Sequence, residues 1–66
     1  MTVRLSGMIK RRRTELGLSQ RALAKHVGVS DAYITQLETR VRSNPSLAVL
    51  KALAKALKVP LAKLVE

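Results

Sequence analysis

An all-α fold of five short helices is what this sequence predicts, and three observations predict it. Apolar residues recur at three- and four-residue intervals along the whole chain, the spacing that gathers them on one side of a helix. No alternating β-branched run and no Asn-Gly turn offers a strand or a hairpin. A serine or a proline stands ahead of each apolar stretch after the first, and glycine follows two of them, which are helix start and stop signals. At 66 residues the chain has room for a single domain, residues 1–66, near the lower limit for a core without staples. It holds no cysteine, so disulfides and thiolate metal sites are excluded and a reducing compartment fits.

The first stretch places Leu5, Ile9 and Leu16 on one stripe, with Met8 on its flank, and Gly17 ends it. Ser19 caps the second, whose inward side is Leu23, Ala24 and Val27. Gly28 stops that helix by supplying a positive φ that a residue with a Cβ resists. Ser30 caps the third, Asp31 complements the macrodipole in its first turn, and Ile34 and Leu37 point inward. "RVRSNP" reads as a loop, because Pro45 holds Asn44 extended. Ser46 caps a fourth helix with Leu47, Leu50, Leu53, Ala54 and Leu57 inside and a solvated row of Lys51, Lys55 and Lys58. Pro60 begins a last short helix whose apolar residues are Leu61, Leu64 and Val65.

Thirteen Lys and Arg stand against four acids, a formal net charge of +9. So lopsided a balance favours a polyanionic partner, nucleic acid ahead of an anionic membrane surface. Tyr33 is the only aromatic residue. Single-strand binders stack bases on several aromatics, so a duplex is the better match. No apolar run reaches the length of a membrane span, and "MTVRLSGMIKRRR" lacks the apolar stretch of a signal peptide, so a cytoplasmic protein is expected. His26 has no second histidine or cysteine to build a metal site with. Nothing resembles a nucleophile, a carboxylate pair or a phosphate-cradling loop. No cofactor, no metal and no enzyme activity are expected.

Two short helices joined at Gly28, over about residues 19–38, make a helix-turn-helix in which the first braces the second against DNA. An ordinary helical hairpin is the plain alternative. Against it, Ala24 is small where the helices must approach, Gly28 follows four residues on, and Val29 plugs the turn. With Ile34 and Leu37 inward, a wheel of helix 30–39 turns Ala32, Thr35, Gln36 and Thr39 outward, with Tyr33 on the flank. The run "KRRR" could be a localisation tag or an RNA patch. Yet Arg13 lies four residues after Ile9 and three before Leu16, on the apolar stripe itself, where a charge needs a partner. Glu38, four after Ile34, is the candidate, and the pair would fix the angle between the first and third helices. Lys10, Arg11 and Arg12 remain outside, with Arg12 assigned to the DNA backbone.

"GLSQRALAKHVGVSDAYITQLE", followed by "NPSLAVLKALAKALKVPLAKLV", resembles the Cro and repressor-type family of bacterial and phage regulators, and the "NPS" entry to the fourth helix is similar to SinR-type members. The resemblance covers residues 8–65. It implies a compact, lambda-repressor-like five-helix domain that binds operator DNA, as a repressor and as a homodimer. Family docking puts Asp31, Ala32 and Gln36 at base edges; Thr35, a phosphate or mixed contact, is counted with them. Gln36 suits an adenine and Ala32 a thymine methyl. Asp31 either accepts from a cytosine amino group or only stabilises the helix start. Gln20 matches the family glutamine that bonds a phosphate, its alternative being a plain exposed polar residue. Ser19, Ser30, Tyr33 and Thr39 are further backbone candidates, and Arg40 and Arg42 reach phosphate from the loop. The family often has glycine just after the third helix; "TRVRSN" has none, so the helix must end another way. Pairing of two copies falls to Leu61, Leu64 and Val65; Leu61 and Leu64 could equally complete the monomer core, and Val65 is the better interface candidate. Two rival readings remain. One is an antitoxin or coactivator-like module of the same fold. The other is a membrane-active helix, suggested by "SLAVLKALAKALK".

Overall fold

The computed structural model describes residues 2–41 and 44–65, with side chains described for 5–41 and 44–64. Five helices follow one another: α1 Thr2–Glu15, α2 Gln20–Val27, α3 Asp31–Glu38, α4 Leu47–Leu57 and α5 Leu61–Val65. There is no strand among the described residues. The expected all-α, five-helix architecture is the one observed.

The starts are set by the three serines. The hydroxyl oxygens of Ser19, Ser30 and Ser46 accept from the backbone N–H groups of Ala22, Tyr33 and Val49 at 3.0, 3.1 and 3.2 Å. Each serine has extended φ and ψ, so each caps a first-turn N–H that has no helical carbonyl four residues back, that of Tyr33 being shared with the Ser30 carbonyl at 3.1 Å.

The ends follow a single device. Helices α1 to α4 all run into a residue with left-handed φ: Gly17 at 71°, Gly28 at 88°, Arg40 at 67° and Lys58 at 57°. After α1, the N–H groups of Gly17 and Leu18 turn back to the carbonyls of Thr14 and Arg13, each at 3.0 Å. This closes the helix as a Schellman motif does. Two of the four positions are therefore glycine and two are cations. Arg40 answers the question raised by the missing glycine after α3: the arginine takes the left-handed conformation itself.

The core is built where the helices' apolar stripes meet. Ile9, Leu23, Ile34, Leu37, Leu53 and Leu57 are fully buried, drawn from α1, α2, α3 and α4. Each such side chain contributes roughly 1.5–3 kcal/mol by leaving water. Leu64 of α5 is 5% exposed and closes the same cluster, with Leu61 packed against it. Of the two places open to Leu64, a pairing surface or the monomer core, the short helix turns it into the core. The side chain of Val65 lies outside the described residues. Leu47, expected inside, is 56% exposed. It opens α4 at the solvent end, and Val49 and Leu50 pack against the core in its stead.

Candidate nucleic-acid interface

The turn between α2 and α3 is tight because two amides share one acceptor. The N–H groups of Gly28 and Val29 both donate to the carbonyl of Ala24, at 2.8 and 3.0 Å. Ala24 is itself buried at the junction, and Val29 is half-buried against the core. The two eight-residue helices are thus set against each other with Ser30 already capping the second.

Burial then divides α3 into two sides. Ile34 and Leu37 have essentially no exposure, whereas Asp31, Ala32, Thr35 and Thr39 are exposed and Gln36 is half-buried. At about 100° per residue, positions 31, 35, 39, 32 and 36 fall in that order on one continuous arc. Tyr33 is half-buried at its edge, packed on the core. The arc carries small or short polar side chains, so a surface wide enough to admit a helix could approach its backbone closely.

The hydroxyls along this surface are of two kinds. Ser19 and Ser30 accept inside the protein, from helix amides, which leaves their protons to donate outward. Thr35 and Thr39 do the reverse. Thr39 donates back to the carbonyl of Thr35 at 2.8 Å. Thr35 donates to Gln20 Oε1 at 2.7 Å, with the Asp31 carbonyl next nearest at 3.1 Å. A phosphate oxygen only accepts, so the serine hydroxyls are set for it and the threonine hydroxyls are not. Asp31 turns Oδ1 to the N–H of Ala32 at 3.0 Å, over the helix start.

Behind α3 lies a buried polar cluster. The guanidinium of Arg13 grips Glu38 with two parallel bonds, Nε to Oε2 at 2.6 Å and Nη2 to Oε1 at 3.0 Å. The two side chains are 12% and 3% exposed. Arg13 Nη1 donates to the Leu18 carbonyl at 2.8 Å, tying the same group to the α1–α2 turn. Gln20 Nε2 supplies a further donor to Glu38 Oε1 at 3.0 Å. The hydrogen bond to Glu38 raises the pKa of Arg13 above its ordinary value, with Coulombic attraction adding to it and burial opposing it. Like any arginine, Arg13 is charged throughout the physiological range.

Several residues stand elsewhere than expected. Gln20, assigned to phosphate, holds both ends of its amide within the protein, on Glu38 and Thr35. No local spacing signals that bridge, because its partners lie 18 and 15 residues on. Arg12, assigned to the DNA backbone, donates from Nε to the Leu57 carbonyl at 2.9 Å and from Nη1 to Glu15 at 3.2 Å. Its position on α1 faces the C-terminal end of α4, whose last carbonyls lack helical partners. Arg40 is exposed immediately after α3. Arg42 lies outside the described residues.

Elsewhere, His26 borders a half-open cleft of about 530 Å³ with Leu16, Leu18, Ala52 and Ala56 on its walls and Lys55 and Lys58 at its rim. No group of metal-binding side chains occurs among the described residues. None of the described helices is long and apolar enough to cross a membrane.

Comparison with known proteins agrees with this geometry. The family model described as helix-turn-helix matches residues 9–64. Among solved structures, SinR, the master regulator for biofilm formation, in complex with DNA, is similar at a TM-score of 0.88 and 31% identity. The alignment covers 94% of this chain and 98% of that one. The restriction-modification controller protein C.AhdI from Aeromonas hydrophila gives 0.87 and 33%, over 96% and 94%. The DNA-binding domain of the P22 C2 repressor gives 0.86 and 38%, over 98% and 84%. A comparison with curated protein sequences gave no match.

Proposed function

Because the chain belongs to the helix-turn-helix family of Cro and repressor-type DNA-binding regulators, we propose that it reads operator DNA sequence-specifically and represses by occupying it. The observation that carries this reading is the division of α3: an exposed arc of Asp31, Thr35, Thr39 and Ala32, continued by the half-buried Gln36, on a helix whose other side is buried and clamped by Arg13 and Glu38. A helix so held can enter the major groove as a rigid reader, its geometry fixed before binding. Ala32 and Gln36 meet base edges, Asp31 stands at the leading end, and Ser19 and Ser30 donate to phosphates on either side of the turn. Arg40 and Arg42 add charge after the reading helix, and the +9 excess speeds encounter with the duplex. The protein acts in the cytoplasm, on the nucleoid, as a homodimer on paired half-sites.

Selection of bound sequences from a random duplex pool tests the reading directly. A defined sequence should emerge. Gln36→Ala should then weaken binding to that sequence by about 1–3 kcal/mol and leave random DNA nearly unchanged. Arg42→Ala should weaken both alike and flatten the dependence on salt. Equal losses on both duplexes for Gln36→Ala would remove Gln36 from the base-reading set. A pool with no enriched sequence would favour a protein-interaction module of the same fold.

A further inference from the structure

The polar surface between α2 and α3 has a direction that the roles above do not use. It starts at Glu38, whose carboxylate, paired with Arg13, only accepts. The amide of Gln20 must therefore turn its nitrogen to Glu38, and Nε2 donates to Oε1 at 3.0 Å. That orientation leaves the Gln20 oxygen toward Thr35. An amide oxygen also only accepts, so the Thr35 hydroxyl donates to it at 2.7 Å. The other neighbour of that hydroxyl, the Asp31 carbonyl at 3.1 Å, is again an acceptor. A hydroxyl has one proton and two lone pairs. Both inward partners demand the proton, and Thr35 is exposed, so what its oxygen shows outward is a lone pair.

We infer that Gln20 is a positioning residue for base selection, which holds Thr35 as a hydrogen-bond acceptor facing the major groove. Opposite Thr35 the protein then selects a base that shows an amino group there, cytosine through N4 or adenine through N6. Guanine and thymine present acceptors at the corresponding positions and are disfavoured. A freely rotating hydroxyl would accept or donate as the base required, and would discriminate little. The selectivity thus originates in the buried Arg13–Glu38 pair and reaches the surface through one oriented amide. The inference rests on the proposal that α3 reads DNA.

The test compares the whole chain with Thr35→Val, which keeps the shape and removes the oxygen, and with Gln20→Met. Each is put through the same random-duplex selection. Thr35→Val should erase the preference at one position of each half-site, and the base preferred there by the unaltered protein should be adenine or cytosine. Deleting the amino group of that base, with purine for adenine or 2-pyrimidinone for cytosine, should weaken the unaltered protein about fivefold, the scale of one hydrogen bond. The same deletion should leave Thr35→Val unaffected. Gln20→Met should relax that position alone, and the preferences retained elsewhere show that the variant is folded. Guanine or thymine at the Thr35-dependent position overturns the inference. So does a Gln20→Met variant that loses affinity equally for all sequences with every preference intact, because Gln20 is then a phosphate contact. If the unaltered protein selects a sequence that Thr35→Val does not change, only the inference fails. If it selects none, the reading of α3 fails first and the inference with it.

Discussion

Arg40 and Lys58 occupy backbone conformations that most side chains avoid, and they do so for different reasons. Both have left-handed φ, at 67° and 57°, which costs a residue with a Cβ roughly 1–2 kcal/mol. A cation at that place recovers part of the cost, since the carboxyl end of a helix carries partial negative charge. Lys58 closes α4, with its own N–H directed to the Lys55 and Ala54 carbonyls, far along the chain from the reading helix. Arg40 stands just past the Thr39 cap of α3, where the proposed interface would use a positive side chain. The two substitutions to glycine should therefore part company. Lys58→Gly should raise stability by up to about 1 kcal/mol, once the greater chain entropy of glycine is set against the relieved strain, and leave DNA affinity unchanged. Arg40→Gly should stabilise to a similar degree yet weaken binding to operator and random duplex alike. A gain of this size is about 4–8 °C in melting temperature for a domain of this length. Unchanged or lower melting temperatures for both variants would show that the left-handed ends carry no strain worth relieving. An Arg40→Gly protein that binds DNA normally would take Arg40 off the interface.

At the scale of elements, what could be read from sequence was whatever is settled within a few residues. Ser19, Ser30 and Ser46 cap helices because the amide each one satisfies lies three residues away, and the buried stripes follow from the helical repeat. Arg13 was legible for the same reason: its place on the α1 stripe requires burial, and burial of a guanidinium requires an acid. Periodicity tells which side of a helix faces inward but not which element waits there. Arg12 is the instructive case, because nothing near it in the chain announces the Leu57 carbonyl, 45 residues away. Leu47 shows the converse, an apolar residue at a helix start that the core does not reach. The junction of α1 and α3 yields a direct measurement. Removing either Arg13 or Glu38 alone strands a buried charge and should cost roughly 3–5 kcal/mol, a large part of the stability of so small a domain. Arg13→Met combined with Glu38→Leu should recover part of that loss. Independent effects below a kilocalorie in the double-mutant cycle would place the pair in solvent, where such bridges contribute about 0–1 kcal/mol.

On the scale of the whole molecule, charge and size bear on how two copies would share an operator. Exposed cations occur on α1, α2, α4 and α5, among them Lys10, Arg21, Lys55 and Lys63, whereas α3 itself carries none. The molecule measures 24 × 23 × 20 Å, so cations on its far side lie beyond the screening length of about 8 Å at physiological salt. In the proposed reading they aid approach to DNA, and the contacts near α3 hold it there. One such helix spans only a few base pairs, and the expected solution is two copies on half-sites one helical turn apart, about 34 Å.

Among the described residues the apolar surface left for pairing is small. Leu64 is in the core, and the large apolar side chains exposed among the described residues are Val41 and Leu47, at 76% and 56%. A stable interface takes about 800 Å² from each partner, close to a fifth of the 4234 Å² this chain presents. Two side chains do not supply that. The free protein should therefore sediment as a monomer at low concentration and pair only when a duplex aligns two copies, the DNA furnishing the proximity that the interface lacks. Binding to a duplex with two half-sites should be cooperative. Inserting half a helical turn between the sites should abolish the cooperativity while preserving affinity for each half, because the second copy is then carried to the opposite side of the helix. A monomer-sized complex with equal affinity for one half-site and for two would show that a single reading helix acts alone. A dimer already formed at nanomolar concentration would show instead that the pairing surface is larger than the exposed side chains of α3, α4 and their connection provide.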